Sequence, residues 1–61
     1  MNIETYTQKI DGKVRETLTV NHSSGVAVRT TYDHRGAVIG TSTYGAGAGE
    51  VTQFIAQAER A

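Results

Sequence analysis

The stretch "VRETLTVNHSSGVAVRTTYD", residues 14–33, alternates on both sides of a glycine-bearing turn, so its register assigns faces to half the chain. In the first half Val14, Leu18 and Val20 share one parity, and Arg15, Thr17, Thr19 and Asn21 share the other. In the second half Val26, Val28 and Tyr32 take the apolar parity, with Arg29 and Thr31 opposite. A period of two in a Val-, Thr- and Tyr-rich run is the pattern of a half-buried strand. "HSSGV" between the halves suits a three-residue hairpin loop, in which Gly25 supplies a positive φ without a Cβ clash.

The same rhythm extends in both directions. "DHRG" (33–36) has Asp first and Gly fourth, both favoured in a type I turn. "KIDGK" (9–13) fits a three-residue loop, or a two-residue Asp-Gly turn that would shift the first strand by one residue and swap its faces. "AVIGTSTY" (37–44) offers Val38 and Tyr44 inward and Thr41 and Thr43 outward. The expected layout is four strands, about 2–9, 14–22, 26–33 and 37–44, in an antiparallel meander. Thr-x-Thr pairs at 5–7, 17–19 and 41–43, with Arg29 and Thr31 in the matching slot, then recur once per strand on one open face. With three-residue loops Arg15 opposes Asp33, Thr17 lies beside Thr31, and Arg29 lies beside Thr41. Opposite charges so placed contribute about 0.2–1 kcal/mol.

Beyond Tyr44, "GAGAG" (45–49) reads as a flexible connector. "EVTQFIAQAERA" then sets Val51, Phe54, Ile55 and Ala58 on one helical stripe, predicting a helix over about 50–60. Glu50 in its first turn and Arg60 near its end complement the helix dipole. The stripe and the apolar sheet face need each other, which gives a single two-layer α+β domain, ββββα, over 1–61.

Composition narrows the function classes. The 61 residues hold six Lys/Arg against six Asp/Glu, so the basic excess of a duplex-DNA binder is absent. There is no cysteine for a disulfide, and two histidines alone make no zinc site. Domains this small usually need a helper, and self-association as a homodimer is the one left. No run approaches the length of a membrane span and no signal-peptide layout is present, so a soluble, cytoplasmic protein is the expectation.

The chain offers little chemistry. "YGAGAGEV" (44–51) departs from the G-x-G-x-x-G spacing, and Glu50 puts negative charge where an anion would sit. His22 and His34 flank turns without an evident nucleophile and orienting group. Glu16 falls on the apolar parity between Val14 and Leu18, where it needs water, a tyrosine or a partner. No catalytic, cofactor-binding or metal-binding residues are expected. The distinctive surface is the threonine face, so Arg15, Thr17, Thr19, Arg29, Thr31, Thr41 and Thr43 are the candidate partner-binding residues, flanked by Thr5, Asn21 and Ile39.

In element order alone, four antiparallel strands followed by a helix are similar to the PC4-like single-stranded-DNA-binding proteins. That resemblance implies a dimer and an alternative role in binding single-stranded nucleic acid through Arg15, Arg29 and the threonine face. The leading expectation is a small non-catalytic interaction protein that binds an unidentified protein partner. Compact accessory regulators or inhibitors of phages and mobile elements are of this kind.

Overall fold

The computed structural model describes residues 2–58: strands β1 (Ile3–Ile10), β2 (Lys13–Asn21), β3 (Val26–Tyr32) and β4 (Val38–Gly45), then helix α1 (Gly49–Ala58). The strands form one antiparallel sheet in the order β1-β2-β3-β4, and α1 lies on one face, the predicted ββββα arrangement. The last expected helical residues, Arg60 among them, lie outside the described residues. Val51, Phe54 and Ala58 from the helix are buried against Leu18, Val20 and Ala27 from the sheet. Tyr6, Tyr44, Ala46, Ala48 and Ile55 pack around this core. Each of its larger apolar side chains contributes roughly 1.5–3 kcal/mol through burial.

Three turns decide which residues reach that core. Ile10 pairs with Lys13, and both Asp11 (φ 54°) and Gly12 (φ 79°) are left-handed, so the first hairpin closes through a two-residue Asp-Gly turn. That turn alone would invert β1. However, Gln8 pairs with Glu16 and Lys9 with Val14, leaving Arg15 as an extra residue in β2. The two one-residue shifts cancel, so Tyr6 stays inward and Thr5 and Thr7 outward. The third hairpin closes as expected. Gly36 (φ 86°) donates its N–H to the Asp33 carbonyl at 3.0 Å, and the Asp33 carboxylate accepts N–H bonds from Arg35 (2.8 Å) and Ala37 (2.9 Å).

The middle turn overturns part of the sequence reading. Asn21 pairs with Val26, so the loop holds four residues, His22–Gly25, rather than three. Gly25 donates to the Asn21 carbonyl at 2.9 Å, and Asn21 Oδ1 accepts the N–H groups of Ser23 (3.0 Å) and Ser24 (3.2 Å). One additional loop residue reverses the parity of β3. Ala27, Arg29 and Thr31 therefore face the helix side, and Val26, Val28, Thr30 and Tyr32 face away. Val20 is 0% exposed, whereas Val28 is 38% exposed.

A second irregularity restores β4. Thr31 pairs with Gly40 but Tyr32 with Val38, so Ile39 is bulged out. Tyr44 thus points inward and Thr41 and Thr43 outward, as expected, while Val38, expected inward, is 58% exposed. Only β3 is inverted as a whole. The expected pairs give way accordingly: Thr17 lies beside Thr30, Arg29 beside Ser42, and the Arg15 Nε–H donates to the Tyr32 carbonyl at 3.1 Å instead of meeting Asp33.

The glycine-alanine connector is an ordered turn. Ala46 N–H donates to the Gly25 carbonyl (2.9 Å) and Ala48 N–H to the Gly45 carbonyl (3.0 Å). These bonds press Ala46 and Ala48 onto the core edge, where larger side chains would hold the helix off the sheet.

Candidate contact face

Strand pairing arranges the helix-free side of the sheet in cross-strand rows. One row is Thr7, Thr17, Thr30 and Thr41, a threonine from each of the four strands. The next is Thr5, Thr19, Val28 and Thr43. The row beyond it is Ile3, Asn21, Val26 and Gly45. At the far end Tyr32 pairs with Val38, and its hydroxyl lies 3.5 Å from Thr17 Oγ1. β-Branched residues suit such a pleated surface, and Thr–Thr neighbours support one another across strands. These three rows carry no charged side chain.

The expected contact set is therefore divided. Thr17, Thr19, Thr41 and Thr43 come together on this face, while Arg29 and Thr31 lie on the other. Arg15 sits at the β2 bulge, committed to the Tyr32 carbonyl. Ile39 is exposed at the β4 bulge. Thr30, Val26 and Val28 are the face residues that the strand alternation misassigns, because a three-residue loop puts them on the wrong side.

On the helix side, Arg29 pairs with the Glu16 carboxylate through Nη2 and through Nε at 3.1 Å. Thr31 Oγ1 donates to the same oxygen at 3.4 Å. The guanidinium lies 6.0 Å from the Phe54 ring centroid, within range of a cation–π contact. Its hydrogen bond to Glu16 raises the Arg29 pKa above the ordinary guanidinium value, with a smaller contribution from Tyr44. Glu16 is thus balanced within its own sheet, by a cation that simple alternation assigns to the other face.

Glu4 accepts hydrogen bonds from the Tyr6 hydroxyl (2.6 Å) and from His22 Nε2 (3.1 Å), which hold its carboxyl below the usual range. Ser23 and Ser24, beside His22, are bonded to Asn21 through their N–H groups, and Ser24 Oγ donates to the Asn21 carbonyl at 3.5 Å. The glycine-rich turn uses its amides internally, since Val51 and Thr52 both donate to the Ala48 carbonyl. Among the described residues no group of three or more His, Cys, Asp or Glu could hold a metal ion. No helix among them is long and apolar enough to cross a membrane.

Comparison with known proteins finds no matching family model, no similar curated protein and no similar solved structure.

Proposed function

We propose that the chain is a small, non-catalytic interaction protein that works in the cytoplasm by binding another protein through the outer face of its sheet, as an accessory regulator or inhibitor. The observation that carries this reading is the inversion of β3. It turns Val26, Val28 and Tyr32 onto the threonine-bearing face and withdraws Arg29 to the other side. The result is an uncovered surface whose three rows of mainly β-branched side chains carry no charge, with Lys9 and Arg15 beyond them at the Tyr32 end. Such a surface suits desolvation against a protein, whose interface cores are poor in charge. Single-stranded nucleic acid asks for cations along a groove with aromatic platforms. Here Arg29 is held by Glu16, and Tyr32 is the one aromatic on the face.

The test is a pair of variants used as bait in the native host's extract. Val28→Glu places a charge at the centre of the face, and Gln53→Glu places one on the exposed side of α1. Loss of a captured protein with Val28→Glu, and its retention with Gln53→Glu, supports the reading. Capture indifferent to Val28→Glu overturns it. So does tight binding of a fluorescent oligonucleotide that weakens steeply between low and high salt.

A further inference from the structure

We infer that two copies of the chain pair β4 against β4, antiparallel about a two-fold axis at Ser42, extending the four-stranded sheet to eight strands. β4 is an edge strand, exposed along its length except at half-buried Tyr44. Edges are usually protected by charged side chains or proline. β4, "VIGTSTYG", has neither, and its bulge at Ile39 leaves Gly40–Gly45 as a regular edge, whereas the opposite edge, β1, carries Glu4 and Lys9.

The backbone already points the right groups outward. Ala46 N–H donates to the Gly25 carbonyl, which fixes the alternation along β3 and β4. Counting inward from that bond, Tyr44, Ser42 and Gly40 direct their N–H and C=O groups toward β3. Thr41 and Thr43 therefore direct theirs away from the sheet, where a further strand would lie.

The sequence of β4 is self-complementary about Ser42. In the antiparallel pairing, Thr41 opposes Thr43 of the second copy and Thr43 opposes its Thr41, exchanging backbone hydrogen bonds at both positions. Gly40 opposes Tyr44 of the second copy on the helix side. A Cβ at Gly40 would meet no atom within 4 Å, so no side chain of its own copy covers that position. Thr–Thr and aromatic–glycine pairs are favourable cross-strand neighbours. No like charges meet, because β4 has none. This symmetry is the reason for naming a second copy as the occupant rather than an unrelated extended peptide.

The pairing also enlarges the outer face. Four strands of about seven residues make a platform of roughly 20 by 23 Å, or about 450 Å². A standard interface uses about 800 Å² per partner, close to two such platforms side by side. The pairing rests on β4 alone, so its failure would leave the outer-face reading standing.

The chain has no cysteine, so Ser42→Cys introduces a single thiol. A pair that does not exchange hydrogen bonds sets its Cα atoms about 4.5 Å apart, within disulfide range. Under mild oxidation, Ser42→Cys should form covalent dimer at least about ten times faster than Ser24→Cys, placed in the β2–β3 loop (a margin of about 1.4 kcal/mol). Mixed Thr41→Cys and Thr43→Cys chains should cross-link to each other in preference to themselves. Equal rates for Ser42→Cys and Ser24→Cys would overturn the pairing. Sedimentation equilibrium up to about 1 mM chain, where a complex near the −4 kcal/mol level still forms, gives a second reading. The wild type should self-associate, and Ser42→Lys, opposing two ammonium groups, should do so at least about ten-fold more weakly at an unchanged unfolding midpoint. A monomeric wild type over that range overturns the inference.

Discussion

Arg29 clasps the Glu16 carboxylate on the helix-covered side of the sheet and stacks over Phe54, so an ion pair and a core aromatic share one cation. The pair is only partly shielded, with Arg29 37% and Glu16 19% exposed at the side chain, and solvent screening limits its strength. A double-mutant cycle with Arg29→Met and Glu16→Gln should give a coupling of about 1 kcal/mol.

Arg29→Glu should be far worse than Arg29→Met. It sets two carboxylates together beside Phe54, and a loss of about 2–3 kcal/mol in urea unfolding is expected. If Arg29→Glu unfolds at the wild-type urea concentration, Arg29 does not face the helix.

Ala27 and Val28 offer the plainest check on the inverted strand. Ala27 is 0% exposed beneath the helix, so Ala27→Leu should overpack the core and cost about 1–3 kcal/mol. Val28→Thr, on the open face, should stay within about 0.5 kcal/mol of wild type. The opposite ranking would put Val28 in the core and remove the basis of the outer face.

Most of the architecture was legible in the sequence, and the exception has a physical cause. Alternation reads faces reliably within a strand, but the faces of successive strands are linked only through the turns. In the first hairpin a two-residue turn and the Arg15 bulge offset each other, so β1 keeps the faces that a three-residue loop would give it. In the second, "HSSG" does not reveal that Asn21 will cap a four-residue loop. One signal did point the right way. Glu16 on the apolar parity needs water, a tyrosine or a partner, and inverting β3 supplies Arg29 from the same sheet. The Thr-x-Thr recurrence marks one face, but Thr30 and Val28 fill its third slot rather than Arg29 and Thr31.

The four-residue loop should itself be sensitive. Asn21→Ala leaves two N–H groups without their side-chain acceptor and should cost about 1 kcal/mol. Gly25 has a φ of 76°, so Gly25→Ala should cost a similar amount, about 1 kcal/mol. Deleting Ser24 shortens the loop to three residues and would force β3 to turn Val28 inward and Arg29 out. Because Glu16 would then lose its cation, the deletion should be more destabilising than either substitution, by thermal unfolding. A deletion variant as stable as the wild type would mean that loop length does not hold the parity.

Acid should weaken the third hairpin through Asp33. The N–H groups of Ala37 and then Arg35 stabilise its carboxylate, and they hold its pKa below the ordinary aspartate value. Because the folded-state pKa is the lower one, the unfolded chain binds the proton first as pH falls. The stabilisation from this carboxylate is therefore complete above the unfolded value of about 3.9 and fades as pH drops through the folded value. Asp33→Ala should be less stable than wild type at pH 7, and the gap should narrow as pH falls below about 4. Urea midpoints for both proteins at several pH values measure this directly. A gap that stays constant across the range would mean that the Asp33 charge contributes nothing to closing the loop.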